Sequence, residues 1–423
     1  MLDPQQRLML ECAWEVASPQ PVSGTIGTNS SVPAAAGARM GPTRSGGHPA
    51  GPPVPPDTGV YMGASYSEWA AMLSAHGQAA STYTASGGGL SVIPGRISFA
   101  LGLAGPSMLT DTACSSSLVA LASAHSALML GACRSAISGG VNLMLSPGTS
   151  SMYAAAGEWG RGRAAPEALR LVGYPPHPSE LSSVSPPTSA SSGMLTPDGR
   201  CKTLDAAADG YVRAEAAAAL MLRSADSLTA ALGGPDASAG TAMLLLGSAV
   251  NQDGRSSSLT APNGPAQSAL IRAALTSSQL PAIKVGLLQM HGTGTALGDP
   301  IEVNAALSVL MARRAGSDGP LTLAASKAAA GHAEPAAGAV GLAAAVMAAE
   351  ARGAPALPHL RGVNPHVQQC LGSAGKMACG RAGVYAPRQL AALPSARSHG
   401  RVAAGTSAFA FQVRGGRQAL FTY

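Results

Sequence analysis

The sequence predicts a layered α/β fold, because short apolar runs alternate along the chain with longer segments of helical periodicity. The apolar runs that suit β-strands are residues 58–62, 108–112, 135–143, 217–222, 241–250, 285–290 and 321–324. The segments that suit helices are residues 8–16, 115–131, 266–278, 300–315 and 338–351. The longest apolar run, residues 335–349, is shorter than a membrane span requires, so we interpret it as a buried helix.

The chain begins with an amphipathic helical pattern, MLDPQQRLMLECAWEV, which carries acidic residues. This pattern matches neither a signal peptide nor a basic transit peptide. Two later stretches, residues 18–57 and 157–193, are rich in Pro, Gly and Ser and lack hydrophobic periodicity. We interpret both stretches as disordered surface insertions in the α/β fold.

Composition excludes several functional classes. With 46% hydrophobic and 11% charged residues, the 423-residue chain is not a highly charged disordered protein. Its net charge of +6 is scattered and only 4% of its residues are aromatic, so it lacks a nucleic-acid stacking platform. Its six cysteines lack the spacing of a metal site, so we expect no bound metal. The chain is also too large to need a disulfide framework, which favours a reducing compartment and predicts a cytoplasmic protein.

Residues 110–121, TDTACSSSLVAL, place a cysteine where a predicted strand meets a predicted helix. Ser115, Ser116 and Ser117 lead into an apolar-periodic segment, which favours a helix whose first turn is capped by side-chain oxygens. Cys114 would then lie at the positive end of the helix dipole, where a thiolate is stabilised and can act as a nucleophile. From this segment alone, a small buried core residue is an equally weighted alternative.

Two histidines follow predicted strands in turns that are rich in Gly and Ala. His291 lies in QMHGTGT, and His332 lies in SKAAAGHAE. Such turns let a side chain project into a cleft and let a substrate approach the backbone closely. One histidine in such a turn is more often structural, but two in equivalent positions, together with Cys114, favour a catalytic site. The run GTGTALGDP is weak evidence for phosphate binding, because it lacks the spacing of a dinucleotide site.

These three segments and five others resemble the β-ketoacyl synthase domain of type I polyketide synthases. The matching blocks, which follow the order of the family, are residues 1–15, 59–69, 95–107, 110–121, 195–215, 251–267, 291–303 and 327–334. They span nearly the whole chain and are interrupted by the two predicted insertions. DPQQR, DTACSSS and DGRCK favour the polyketide branch over a stand-alone enzyme of fatty-acid synthesis with the same chemistry.

The resemblance implies a thiolase-like fold, in which two αβαβα halves form a five-layer core. We expect the half with the nucleophile to cover residues 1–240 and the half with the two histidines to cover residues 241–423. The resemblance implies no bound cofactor, since the substrates arrive on the phosphopantetheine arm of an acyl carrier protein. It also implies a homodimer and flanking polyketide synthase domains, and neither nucleic acid nor a membrane as a partner.

The resemblance also assigns catalytic roles. Cys114 would carry the growing acyl chain as a thioester, and His291 and His332 would stabilise the enolate that forms when a malonyl thioester loses CO2. Lys327 and Glu334 resemble a supporting pair that orients His332, and the alternative for these two residues is a solvated surface ion pair.

Substrate-binding roles follow from the same resemblance. Thr293 and Thr295 match positions that hydrogen-bond the pantetheine arm, with turn-forming hydroxyls as the alternative. Phe411 matches a gating aromatic residue beside the oxyanion hole. Gln412 and Val413 replace family glycines that can adopt positive φ, a conformation that is costly for a β-branched residue, so we expect this loop to be mis-set.

The first matching block follows an opening strand and loop in the family, so we expect part of the N-terminal half to be missing and a sheet edge to be exposed. The leading hypothesis is a cytoplasmic acyltransferase that catalyses decarboxylative Claisen condensation in polyketide or fatty-acid chain elongation. The alternative, motivated by the missing element and the altered loop, is an impaired ketosynthase-like protein that binds carrier protein without turnover.

Overall fold

The computed structural model of the chain describes residues 2–18, 54–78, 83–156, 194–224, 243–254, 256, 261–315, 318–371, 383–393, 403–410 and 417–422. Residues 19–53 of the first predicted insertion and all of the second lie outside the described residues. The predicted gating residue Phe411 and its two neighbours, Gln412 and Val413, lie outside them too. The described residues form two β-sheets that are covered and separated by helices.

The first sheet has four strands. They are β1 (Gly59–Gly63), β2 (Ser107–Thr110), β3 (Ser135–Asn142) and β4 (Ala216–Arg223). Their order across the sheet is β2-β1-β3-β4, with β1 parallel to β2 and β3, and with β4 antiparallel to β3. Every residue of β1 and β3 is buried, because helices cover both faces of these central strands.

The helices of the first half are α1 (Pro4–Ala17), α2 (Glu68–Ala75), α3 (Thr84–Gly88), α4 (Val92–Leu101), α5 (Ser116–Met129) and α6 (Pro147–Ala156). Of these, α1 and α4 pack on one face of the first sheet and α5 packs on the other. Val60 of β1 is in register with Ile137 of β3, and both side chains pack in the cluster that α1 and α4 form with the sheet. Tyr61 and Ala136 pack with α5 on the other face. Asp3 caps α1 by accepting the Gln5 N–H at 2.8 Å.

The second sheet has six strands. They are β5 (Leu245–Asn251), β6 (Val285–Gln289), β7 (Leu321–Ala324), β9 (Val384–Tyr385), β11 (Ala403–Ala408) and β12 (Arg417–Thr422), in the order β5-β12-β11-β6-β7-β9. The neighbouring pairs β11–β6, β6–β7 and β7–β9 are parallel, whereas β12 is antiparallel to both of its neighbours, β5 and β11. Leu288 of β6 is in register with Gly405 of β11 and with Leu323 of β7. A separate antiparallel ribbon is formed by β8 (Gly353–Ala354) and β10 (Ala391–Ala392).

The helices of the second half are α7 (Gly264–Ser278), α8 (Gly298–Leu310), α9 (Lys327–Ala330), α10 (Ala337–Glu350) and α11 (Pro365–Leu371). α7, α8 and α11 share a hydrophobic cluster with one face of the second sheet, on which Leu288 lies. α10 packs on the opposite face, where Leu287 lies. Adjacent residues of β6 therefore pack against two different helix layers.

The central layer joins the two sheets through α5 and α10. A Cβ atom on Gly338 of α10 would lie 2.6 Å from the Leu118 Cγ atom of α5, so a glycine at this position allows the close approach of the two helices. The Ser117 hydroxyl of α5 accepts the Ala339 N–H at 3.0 Å. The order of layers is helix, sheet, helix, sheet, helix, which confirms the predicted five-layer α/β architecture.

Each predicted strand and helix has an observed counterpart, with ends that shift by a few residues. The prediction missed α4, because Pro94 and Gly95 indicate a break; the proline in fact lies in the first turn of the helix, where it is tolerated. It also missed β11, which consists of Ala, Gly, Thr and Ser. Within the described part of the chain, no helix is both long and apolar enough to span a bilayer.

Candidate active site

Cys114 lies in a single 3-10 turn, Ala113–Ser115, between β2 and α5. It is 5% exposed. Ala113, which precedes it, has a φ of 49°, a left-handed conformation that is unusual for a residue with a side chain. The Asp111 carboxylate holds this residue by accepting its N–H at 3.0 Å. The sharp turn therefore presents the sulfur atom immediately before the positive end of α5.

The three serines after Cys114 do not cap α5 as predicted. The Ser115 hydroxyl donates to the Thr112 carbonyl at 2.9 Å, and no side-chain capping bond forms at the start of the helix. The Ser116 hydroxyl accepts the Thr112 N–H at 2.9 Å and donates to the Ala113 carbonyl at 2.6 Å. These hydroxyls stabilise the turn before the helix, because its left-handed residue leaves backbone groups to be satisfied there.

The predicted stabilisation of a thiolate at Cys114 is wrong for the unliganded site. Burial raises the pKa of the Cys114 thiol to about 12. The negative charge of Glu334 acts in the same direction, whereas the positive charge of Lys327 opposes it. Loss of hydration outweighs the helix terminus, so the resting side chain is a neutral thiol.

The two histidines lie together, with their ring centroids 5.5 Å apart. The Nδ1 atom of His291 accepts the Phe409 N–H at 3.1 Å, and the Nδ1 atom of His332 accepts the Glu334 N–H at 3.1 Å. Because both Nδ1 atoms act as acceptors, each neutral ring carries its proton on Nε2. The turn Glu334–Ala336 after His332 packs against the turn that holds Cys114, which brings all three residues to one region.

His332 is 1% exposed, and its Nε2 atom has no hydrogen-bond partner among the described residues. Burial holds the pKa of His332 well below its usual value, and the positive charges of Lys327 and Arg213 lower it further. The ring therefore stays neutral and keeps a buried N–H available as a donor.

Lys327 and Glu334 are both buried, which excludes the alternative of a solvated surface ion pair, and each makes its ionic contacts with other residues. Glu334 pairs with Arg213, whose Nε and Nη2 atoms lie 2.8 and 3.1 Å from its two carboxylate oxygens. Lys327 instead interacts with the negative charges of Glu302 and Asp299. Burial lowers the pKa of the Lys327 ammonium, and the two carboxylates counter that effect.

The same two carboxylates hold the turn that contains His291. Glu302 accepts the His291 and Gly292 N–H groups at 2.7 and 2.9 Å, and Asp299 accepts the Gly294 N–H at 3.1 Å. Burial raises the pKa of Glu302 to about 7 and that of Asp299 to about 6, although both accept backbone N–H groups that favour ionisation. A sequence pattern gives no sign of this role, because it depends on which way α8 faces.

The predicted pantetheine ligands lie in that turn. The Thr293 and Thr295 hydroxyl oxygens are 3.4 Å apart, and the Thr295 hydroxyl also accepts the Gly298 N–H at 3.2 Å. The Thr295 hydroxyl thus forms a contact within the turn, as the alternative interpretation of this residue predicts. Phe411 is outside the described residues, whereas Phe409 lies against His291 with ring centroids 5.6 Å apart.

Sequence reasoning missed two buried residues of the site, Tyr211 and Arg213. Both lie in the block 195–215 that carries the family resemblance, which is the signal that could have found them. The Tyr211 ring contacts the His332 ring edge-to-face, with centroids 4.9 Å apart. Over the part of the chain that the structure describes, no three His, Cys, Asp or Glu side chains are grouped so that they could hold a metal ion.

Comparison with protein families gives two matches that together cover most of the chain. The model of the β-ketoacyl synthase N-terminal domain matches residues 1–163 and 185–227, and the model of the C-terminal domain matches residues 242–361.

Among curated proteins, one of the subunits of the phenolphthiocerol/phthiocerol polyketide synthase of Mycobacterium tuberculosis is 36% identical over 366 residues, which are 86% of this chain and 16% of that protein. Erythronolide synthase EryA2 of Saccharopolyspora erythraea is 35% identical over 371 residues, which are 86% of this chain and 8% of that protein. The chain therefore spans less than a fifth of the length of these relatives.

Among solved structures, the ketosynthase from module 6 of the bacillaene synthase of Bacillus subtilis 168 matches with a TM-score of 0.70 and 24% identity. That match covers 100% of this chain and 59% of the other chain. An oxazolomycin ketosynthase domain from Streptomyces albus JA3453 matches with a TM-score of 0.69 and 25% identity, over 100% of this chain and 60% of the other. These neighbours share the thiolase-like fold that the resemblance implied.

Proposed function

Because this chain belongs to the β-ketoacyl synthase family, as a ketosynthase domain of the type I polyketide synthase kind, we propose that the region around Cys114 is its condensing site. The enzyme is an acyltransferase whose reaction is decarboxylative Claisen condensation in polyketide chain elongation. The observation that carries the proposal is the pair of imidazoles, 5.5 Å apart, whose backbone-bound Nδ1 atoms direct both protons to Nε2.

In the first step, the Cys114 sulfur attacks the carbonyl carbon of an acyl thioester. A new C–S bond forms, the old C–S bond breaks, and the proton of the Cys114 thiol ends on the departing pantetheine thiol. The exchange needs no net proton, which suits a thiol whose pKa burial raises to about 12. The adjacent start of α5 stabilises the sulfur as negative charge develops on it.

In the second step, the malonyl thioester loses CO2, and the electron pair of the broken C–C bond forms an enolate. The Nε2–H groups of His291 and His332 donate to the enolate oxygen, where charge appears only as the reaction proceeds. The enolate carbon attacks the acyl carbon on Cys114, the C–S bond breaks, and the sulfur leaves as a thiolate that takes up one proton from the solvent. A neutral His332 suits this role, because an Nε2–H donor must be present before CO2 leaves.

Lys327 is proposed to act as a positioning residue. Its positive charge is buried beside Glu302 and Asp299, the carboxylates that hold the His291 turn, and it also lowers the pKa of His332. Glu334 holds His332 through its backbone N–H, while its carboxylate engages Arg213. These contacts hold both rings in place, and His332 stays neutral.

The partners are proposed from the same membership. An acyl carrier protein would bring both thioesters on its phosphopantetheine arm, near Thr293 and Thr295, and other polyketide synthase domains would flank this one. Polyketide rather than fatty-acid elongation is favoured, because the relatives reported above are polyketide synthases. We place the reaction in the cytoplasm, in keeping with the cysteine content.

A chloroacetyl-pantetheine thioester probe tests the nucleophile. We expect alkylation at Cys114, found by peptide mass spectrometry, at a rate that rises about tenfold per pH unit from pH 7 to 9, because the thiol pKa lies above that range. Cys114→Ala should remove the label, whereas Cys201→Ala, which changes another buried cysteine, should keep it. Label on other cysteines only would contradict the assignment.

We also propose a homodimer formed through the edge of the first sheet. β2 is one of the two edge strands of this sheet in the described part of the chain. Met108 on β2 is 43% exposed, and Phe99 on the neighbouring α4 is 90% exposed. An unpaired strand edge beside exposed apolar side chains is a surface suited to pairing with a second copy of the chain.

Sedimentation equilibrium tests the dimer. It should give a mass of twice 41.7 kDa for the wild type and the mass of a monomer for Phe99→Glu/Met108→Glu. Met347→Glu, which changes an exposed apolar residue elsewhere, is the control and should stay a dimer. A monomeric wild type would contradict the proposal.

A further inference from the structure

A row of aromatic rings passes through the site. Consecutive ring centroids are 6.1, 6.5, 4.9 and 5.5 Å apart along Tyr66, Tyr153, Tyr211, His332 and His291. The Tyr66 and Tyr153 hydroxyls, at the far end of the row, hydrogen-bond to each other at 2.7 Å. The two histidines at the near end have the roles proposed above. Tyr211 lies between these two groups, and neither step of the proposed condensation requires its hydroxyl.

The Tyr211 hydroxyl is buried without a hydrogen-bond partner among the described residues, and the residue is only 4% exposed. Buried phenols usually find a partner, because an unpaired buried O–H leaves its loss of hydration uncompensated. Phenylalanine would give the same ring contacts without that penalty. A buried hydroxyl that is unpaired among the described residues therefore points to a partner that arrives with a ligand.

The position of Tyr211 is fixed by its backbone. Its N–H donates to the Met194 carbonyl at 3.1 Å, and its carbonyl accepts the Thr196 N–H at 3.0 Å. The next residue, Val212, accepts the His332 N–H at 2.8 Å, so the phenol and the imidazole are held side by side. The backbone of Tyr211 is therefore held on both sides.

The Tyr211 ring contacts His332, and the turn after His332 packs against the turn that holds Cys114. Burial is the main cause that raises the pKa of Tyr211, and the nearby Cys114 and Glu334 side chains raise it further. The phenol thus remains protonated, and its neutral O–H can donate or accept a hydrogen bond. An acyl group on Cys114 would place the first few atoms of its chain within this same region.

We propose that Tyr211 is a specificity-determining residue, whose O–H donates a hydrogen bond to a neutral oxygen near the thioester end of the acyl chain on Cys114. The site would then prefer an acyl chain with a hydroxyl or ketone oxygen at its third carbon over a fully reduced chain. This inference rests on the proposed function and deepens it, since it names the class of acyl group that the site accepts.

Electrostatics favours a neutral oxygen over the carboxylate of the extender unit. Arg213 is already engaged by both oxygens of Glu334, and its Nη2 atom lies 3.7 Å from Glu68. Two buried carboxylates thus face one guanidinium, and a further carboxylate beside Tyr211 would add to an excess of negative charge. A hydroxyl or ketone oxygen accepts the same hydrogen bond without that repulsion.

The test compares two acyl donors on Tyr211→Phe. Cys114 is loaded with 3-hydroxybutyryl- or butyryl-N-acetylcysteamine thioester, and the acylation rate is followed by intact-protein mass spectrometry. We expect the ratio of the two second-order rate constants, hydroxylated over reduced, to fall about tenfold to a hundredfold in the variant. Tyr61→Phe, which removes a buried phenol from β1 beside Cys133, should leave the ratio at its wild-type value.

Other outcomes separate this inference from its alternatives. An unchanged ratio, which includes an equal fall in both rate constants, would overturn it. A wild type that neither donor acylates would overturn the proposed function itself. The melting temperature of Tyr211→Phe should be no lower than that of the wild type, because the lost hydroxyl has no partner among the described residues of the unliganded chain. A clear fall would reveal a structural partner and overturn the inference.

Discussion

Replacing His332 by alanine is expected to lower the rate of malonyl-dependent CO2 release and of product formation by about 100- to 1,000-fold, the usual effect of removing one oxyanion donor. The reason is the loss of a buried Nε2–H that the fold holds in place through the Glu334 N–H. Acylation of Cys114 should fall far less, because the enolate forms only in the second step. Purified variant and wild type are compared by labelled CO2 release and by intact-protein mass after acyl loading.

His125→Ala is the matched control, since His125 is a half-buried histidine of α5 whose Nδ1 atom lies 2.9 Å from the Ser248 hydroxyl. It should retain near-wild-type condensation. Equal CO2 release from wild type and His332→Ala would contradict the assigned role and favour a ketosynthase-like protein that does not turn over.

The pH dependence offers an independent check on the same residue. Because burial and nearby cations hold the pKa of His332 well below 6.5, the ring gains a proton only at a pH below that value. The plot of condensation rate against pH should therefore contain no inflection caused by His332 between pH 6.5 and 8. A wild-type inflection near pH 6.5 that disappears in His332→Ala would contradict a neutral donor.

The fold was largely predictable from the sequence, because its long helices and buried strands carry clear periodicity. β11 shows where that signal ends. Ala403–Ala408 contains small residues of low strand preference, yet it is fully buried between β6 and β12. Pairing on both edges decides its conformation, and pairing between distant segments leaves no trace in a local pattern.

The grouping of Cys114, His291 and His332 in one region was also predictable, because each of them follows a strand in a turn of small residues. Their supporting contacts were not. Glu334 is close to Lys327 in sequence, but the carboxylate turns to Arg213, which lies on a different chain segment. Long-range electrostatic pairing depends on how the two segments meet in the fold.

The prediction of a thiolate at Cys114 was wrong for a related reason. The sequence indicates that Cys114 begins a helix, and the helix terminus does favour negative charge by a modest amount. The sequence does not show how completely the surrounding layers remove the sulfur from water. At 5% exposure, desolvation dominates and raises the pKa.

The second large effect is expected for stability. Arg213→Met should lower the free energy of unfolding by about 3–5 kcal/mol, because it leaves buried carboxylates without their cation. The side chains of Arg213 and Glu334 are 3% and 2% exposed, and Glu68 lies 3.7 Å from the same guanidinium. Denaturant unfolding followed by circular dichroism measures the loss. Arg134→Met, which removes an equally short but exposed pair with Asp57, should leave the midpoint almost unchanged.

The pH dependence of that loss identifies its cause. In the wild type, burial raises the pKa of Glu334 even though Arg213 lowers it, so removing Arg213 must raise that pKa further. A carboxyl group with a raised pKa in the folded state destabilises the fold when it ionises, and protonation relieves the penalty as the pH falls. The deficit of Arg213→Met should therefore shrink from pH 8 to pH 5, and adding Glu334→Gln should recover most of it at pH 8. A deficit that is the same at both pH values, and that the second substitution leaves in place, would mean that lost packing rather than unpaired charge destabilises the variant.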